Sequence, residues 1–162
     1  MGTYKEIYGD LIKLGKEGAF DVIAHGVNCM CRMKRGIAPQ MAQAFGCDQF
    51  PLEQTHRVIQ YPLFEGEDTV TIKTNNEGNI NKLGQIEYER RHFLNGVSYG
   101  GYSIPKPEGL ISVYVVNAYT QYQWGTELKP FDYDAFTLCM RKMNHVFKGM
   151  HIGLPQIGSH LA

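Results

Sequence analysis

The 162 residues carry no excess charge of either sign: 16 Lys and Arg stand against 16 Asp and Glu, a formal net charge of zero with neutral histidines. That excludes a bulk polycation, and nucleic acid is not expected as a partner, although a local basic loop keeps a nucleic-acid module as a third reading. Long apolar runs are also missing. No window approaches eighteen uninterrupted apolar residues, and the N-terminal MGTYKEIYGDLIKLGKEG interleaves charges where a secretory leader needs an apolar core, so a soluble cytoplasmic chain with no membrane partner is expected. Glu6 stands where a myristoylation signal wants Ser or Thr. Cysteine is scarce: Cys29, Cys31, Cys47 and Cys139 are too few for a disulfide framework at this length, and Cys29-x-Cys31 is tighter than the usual zinc pair. Free thiols and no metal are expected.

What is present suits one globular domain over residues 1–162. The hydrophobic share is 43%, and 18 Gly with 10 Tyr point to tight turns and amphipathic contact surfaces. A chain of this length buries roughly 70% of its unfolded surface, enough for a core without staples.

Tyr4 to Tyr8 reads as a first strand stopped by Gly9-Asp10, and Asp21 to Val27 as a second whose nearly continuous apolar run suggests a buried, parallel position. Ile37 to Phe45 fits a helix with Pro39 in its first turn and Gly46 at its end. Phe50 to Gln60 offers a second helical segment, with Pro51 early and Leu52, Thr55, Val58 and Ile59 at workable spacing. Thr69 to Thr74 alternates like a strand, and Asn75 to Asn79 follows as a turn cluster, which fits a short excursion or a hairpin there. Gln85 to Phe93 reads as a strand, and Ile111 to Asn117 is the clearest strand of the chain. Asp132 or Asp134 is placed to cap a helix carrying Phe136, Met140, Met143 and Phe147, and Met150 to Leu154 closes the pattern as a strand. Strands separated by helices give an α/β layered sheet, whose ligands bind beyond the carboxyl ends of strands, here after Val27 and after Leu154.

The first of those loops has a chemistry of its own. Strand, polar loop, glycine and helix start follow one another from His25 to Ala38, an order that aims backbone N–H groups at an anion, while Arg32, Lys34 and Arg35 add positive charge. Neither the Walker A pattern nor G-x-G-x-x-G is present in it. The same residues fit a basic solvated loop.

Three segments resemble the macro domain, a family that binds ADP-ribose. Gly9-Asp10-Leu11 resembles its Gly-Asp-Ile/Leu element, AHGVNCMCRMKRGIAPQMAQAF its loop-plus-helix signature, and LPQIGSHLA its diphosphate-clamping loop. The His-x-x-Asn-Cys-x-Cys and Cys-Arg-Met-x-x-Gly-Ile-Ala elements are most similar to the branch holding the ADP-ribose-1''-phosphate phosphatases and the terminal ADP-ribose protein glycohydrolase. The match follows the chain in order and is poor from Tyr61 to Leu110.

The resemblance implies a three-layer fold with a central mixed sheet flanked by helices, shortened by the last helix and strand the family usually has. It implies that Asp10, with Leu11 beside it, accepts from the adenine amino group, that Asn28 bonds the distal ribose hydroxyls, and that Gly36, Ile37 and Ala38 give backbone to the diphosphate. Gly158, Ser159 and His160 would close over the other side, and Tyr119 and Tyr122 would stack on the ligand or remain ordinary aromatics. His25 and Asn28 become the catalytic candidates: an imidazole can protonate a leaving oxygen or activate water, although a histidine in an apolar strand is also often a packed one. A nucleophilic role for Cys29 or Cys31 needs a lowered pKa that nothing in the sequence assigns. Tyr119 stands where the glycohydrolase has its nucleophilic Lys, and the family's acidic residue after the second loop would fall beyond Ala162, so a lysine adduct is disfavoured. The expected ligand is ADP-ribose or ADP-ribose-1''-phosphate, free or on ADP-ribosylated macromolecules, with no cofactor. The expected activity is hydrolysis of the 1''-phosphate or of an ester-linked adduct, against the alternative of a reader without turnover.

Overall fold

The computed structural model describes residues 5–29, 33, 36–49, 54–58, 68–72, 83–100, 106–121 and 132–155. In chain order the elements are α1 (Leu11–Lys16), β1 (Val22–Asn28), α2 (Ala38–Phe45), a 3-10 turn (Cys47–Gln49), β2 (Gln54–Val58), β3 (Asp68–Ile72), β4 (Ile86–Leu94), β5 (Val97–Ser98), β6 (Ile111–Gln121), α3 (Tyr133–Val146) and β7 (Ile152–Gly153). Five strands form one mixed sheet in the order β5-β4-β6-β1-β7, and β2 pairs with β3 separately. β1 runs parallel to both β6 and β7, while β4 is antiparallel to β6.

Side-chain alternation along the strands divides the core into two layers. Ile23, Phe93, Val113 and Val115 pack with Leu11 of α1 and Met41 and Phe45 of α2. Val22, Ala24, Ile86, Val116 and Ala118 pack on the other face with Cys139, Met143 and Phe147 of α3. The result is a three-layer α/β fold with helices on both faces of a mixed sheet. β1 lies between two parallel neighbours and has helices packed over both faces, which is why its sequence reads as a nearly unbroken apolar run.

Local chemistry accounts for the element ends. Asp10 caps α1 by accepting from the N–H groups of Ile12 and Lys13, and Asp132 caps α3 by accepting from Ala135 N–H at 3.0 Å. Gly46 ends α2 in the left-handed region at φ +64°. Asn95 and Gly96, with φ of +52° and +79°, form the tight turn joining β4 to β5.

Two expectations are corrected. Lys5 to Tyr8 do not form a strand: all four are exposed, and Tyr8 is completely so, so their alternation buries neither face. Within 50–60, residues 54–58 form β2 and not a helix. Their partner is β3, with Gln54 opposite Ile72 and Val58 opposite Asp68, a pairing invisible to helical spacing. The strand expected over 69–74 is present as β3, paired with the segment before it; Asn75 to Asn79 lie outside the described residues.

Candidate functional site

The carboxyl ends of β1 and β6 lie side by side. Their parallel register carries Val27 opposite Tyr119, then slips so that Asn28 faces Gln121, and Cys29 N–H donates to Gln121 O at 3.0 Å. The bulge turns the end of β1 and leaves Asn28 buried at the point where the chain enters the loop to α2. Val27, Cys29 and Tyr119 form a small apolar floor there, with Met33 and Leu83 against it. Asp132 N–H donates to Thr120 O at 2.7 Å, bringing the start of α3 to the same end of β6.

α2 follows in the chain after the loop that Asn28 enters. Gly36 is exposed and left-handed at φ +64°, a conformation that disfavours side chains with a Cβ. Ile37 occupies the N-cap position without a side-chain cap, and Pro39 sits in the first turn. Met41 N–H closes the first helical bond to Ile37 O, so the N–H groups of Ala38 and Gln40 lie outside the helix's own ladder. The helix ends over β4, where Phe45 meets Phe93 edge-on and Arg91 Nε donates to Phe45 O.

A row of polar side chains crosses the interior below. Glu87, Asn117 and His25 are opposite one another on β4, β6 and β1 and project into the layer covered by α2 and the turn at Cys47. His25 Nε2 lies 2.7 Å from Asn117 Oδ1. Asn117 Nδ2 donates to Cys47 O at 2.8 Å and to Glu87 Oε1 at 2.9 Å, and Tyr119 OH donates to the same Oε1 at 2.6 Å. All four side chains are buried, His25, Glu87 and Asn117 to 0% exposure. Burial pushes the His25 imidazole down to about 4 against the raising effect of its bond to Asn117, so it is neutral at pH 7. Cys47 Sγ lies 3.6 Å from His25 Nε2, and burial, reinforced by Asp48, pushes this thiol up to about 12. Cys47 is therefore a protonated thiol and not a nucleophile.

The sequence-expected site residues separate into groups. Asn28 and the segment Gly36, Ile37, Ala38 flank one loop. His25 is the fourth residue of seven in β1, in its middle and not at its end, and is closed off from solvent. Tyr119 belongs to the apolar floor, its hydroxyl held by Glu87. Asp10 caps α1 and lines an open groove of about 610 Å³ with Ile12, Lys13, Lys16, Asn95 and Ile111, at the amino end of β6; Asn28, Gly36 and Tyr119 are not among its walls. Leu11 is buried in the core against Ile23. Gly158, Ser159, His160 and Tyr122 lie outside the described residues.

Sequence reasoning passed over Glu87, Asn117 and Lys142. A polar residue inside the otherwise apolar Val115-Val-Asn-Ala118 was the available signal for Asn117. Lys142 of α3 is buried and donates from Nζ to Gly84 O at 2.8 Å and Gln85 Oε1 at 2.9 Å, which fastens the entry of β4 to α3; burial lowers its pKa. Gly84 N–H in turn donates to Tyr119 O, so this clamp reaches the floor. Among the described residues, no three His, Cys, Asp or Glu are grouped to hold a metal ion, and no helix is long and apolar enough to cross a membrane.

The chain is similar to the "Uncharacterized 17.5 kDa protein in tk-vs intergenic region" of Enterobacteria phage T4, with 26% identity over 159 residues covering 96% of this chain and 77% of the phage protein. No family model and no solved structure matches.

Proposed function

We propose that this chain is a macro-type domain that binds ADP-ribose over the carboxyl ends of β1 and β6 and hydrolyses a substituent at the 1'' position of its distal ribose. The observation that carries the reading is the start of α2. A left-handed glycine leads into a first turn without a side-chain cap, so N–H groups outside the helix's own ladder and the positive end of the helix suit an anion such as a diphosphate. Asn28, at the end of β1 just before that loop, has the donor and acceptor to bond vicinal hydroxyls. In this reading the adenosine diphosphate moiety supplies the binding energy, and fixing the distal ribose against Asn28 brings an attacking water into line.

A reader without turnover is the second reading, favoured by the closure of His25: an imidazole at 0% exposure touches no ligand unless the layer above it opens. Calorimetry with ADP-ribose, followed by phosphate release from ADP-ribose-1''-phosphate, tests both. Binding with turnover is the expected result. Binding alone selects the reader, and no binding of ADP-ribose or AMP at millimolar concentration removes both readings.

A further inference from the structure

The buried row has a polarity that follows from donor and acceptor counting. Glu87 Oε1 receives Asn117 Nδ2 and Tyr119 OH. A main-chain carbonyl, Cys47 O, receives the other hydrogen of the same Nδ2. The reverse orientation of the amide would set its oxygen 2.8 Å from the Cys47 carbonyl oxygen, an acceptor that carries no hydrogen. Asn117 therefore presents Oδ1 to His25, and an atom 2.7 Å from an acceptor must carry the proton, which places it on Nε2. Cys47 Sγ, at 3.6 Å from that same nitrogen, cannot be donating to it. The remaining ring nitrogen, Nδ1, is buried and has no hydrogen-bond partner among the described residues.

The geometry points to Glu87 and Asn117 as positioning residues that hold His25 in its Nε2–H tautomer, with Nδ1 kept as a hydrogen-bond acceptor inside the domain. The assignment has a direction. A histidine set this way takes a hydrogen bond or a proton at Nδ1 and does not donate one there, so any part it plays beneath the ribose site is that of an acceptor and not of a general acid. The tautomer is independent of what the domain binds; its bearing on turnover rests on the reading given above.

Two-bond proton–nitrogen correlation spectra of the full chain labelled at histidine nitrogen, with His25 assigned by comparison with His25→Gln, read the tautomer directly at pH 7. The expected wild-type pattern has the proton on Nε2 alone. A proton on Nδ1, or on both nitrogens, overturns the proposal without need of any further variant. In Asn117→Leu the tautomer loses its determinant, and an Nδ1–H species absent from wild type emerges; an unchanged pattern overturns the role of Asn117. Glu87→Leu leaves Asn117 with one of its two acceptors and shifts the pattern the same way, while Glu87→Gln, which keeps an oxygen acceptor, restores it. An unchanged Glu87→Leu spectrum overturns the part assigned to Glu87. Calorimetry of the same wild-type sample with ADP-ribose separates the two ideas: an Nε2–H pattern without binding removes the functional reading and leaves the tautomer assignment, and binding with an Nδ1–H pattern does the reverse.

Discussion

His25 and Asn117 face one another in register on adjacent parallel strands and are joined by a 2.7 Å hydrogen bond between imidazole and amide oxygen. A neutral amide can orient an imidazole but does not offset its charge as a carboxylate would, and full burial then makes the charged form costly. The one carboxylate in the row, Glu87, is a strand further away and spends its Oε1 on Asn117 and Tyr119. The centre of the sheet thus holds a histidine that stays uncharged.

Acid stability should report this. The folded value of about 4 lies below the ordinary 6.5, so between those pH values the unfolded chain binds more protons than the folded one. Stability from this group is complete above pH 6.5 and is lost as the pH falls toward 4, by roughly 3 kcal/mol in all. Urea unfolding at pH 7, 5.5 and 4.5, paired with His25→Gln, checks it: the variant is expected to be less stable at pH 7 and to lose less on acidification. Equal slopes would mean that other groups govern the acid limb.

Tyr119→Phe removes one hydroxyl from the same network without opening a cavity. Its bond to Glu87 Oε1 is short and involves a carboxylate, so a loss of about 1.5–3 kcal/mol is expected. Chemical denaturation measures it. A change below about 0.5 kcal/mol would show that Glu87 gains nothing from the phenol.

The parts of this fold that were legible are those governed by local pattern. Val22 to Val27, Ile86 to Phe93 and Ile111 to Asn117 advertise strands through β-branched and aromatic residues, and Asp132 with Phe136, Met140 and Met143 advertises a capped helix. Residues 54–58 were not legible, because β2 exists through its pairing with β3 ten residues beyond. Glu87 was hidden for a related reason. In Ile86-Glu-Tyr-Glu-Arg it alternates as a solvent-facing residue does, yet α2 and the turn at Cys47 cover that face of the sheet. Asp10 and His25 show the limit of residue type alone: a helix cap and a packed histidine occupy positions where a ligand carboxylate and a rim imidazole were equally good readings.

Asp10 tests whether capping and binding are separable. Asp10→Ala should destabilise α1 by about 1 kcal/mol, and Asp10→Ser, which can still accept from Ile12 and Lys13 N–H, should restore most of it. If the carboxylate also accepts from adenine, both variants should bind ADP-ribose more weakly, by roughly 1.5–3 kcal/mol. Serine rescuing stability and affinity together would confine Asp10 to the cap.

At Gly36 the backbone itself sets the expectation. With φ at +64°, Gly36→Val should cost about 1–2 kcal/mol through strain alone, and Gly36→Asn clearly less. Under the proposed function both should lose ADP-ribose affinity, since each puts a Cβ where the diphosphate approaches. Thermal melts with and without ADP-ribose read the two effects side by side, and an Asn variant that binds like wild type would remove Gly36 from the diphosphate site.

Turnover is the sharpest test of the distal ribose site. Asn28 sits at the end of β1, whereas His25 is three residues earlier and closed off, a separation of about 10 Å along an extended strand. If Asn28 orients the ribose, Asn28→Ala should lower kcat for ADP-ribose-1''-phosphate by about 100-fold, because positioning is what the site contributes to attack by water. ADP-ribose binding, dominated by the diphosphate and adenine, should fall much less. His25→Ala should lose stability first, and its kcat should be compared only below the temperature at which the variant remains folded. Phosphate release measured under that condition discriminates between them. Activity retained in His25→Ala and lost in Asn28→Ala makes the histidine a framework residue, while a kcat lost in both with ADP-ribose affinity kept means that the layer over His25 opens during the reaction.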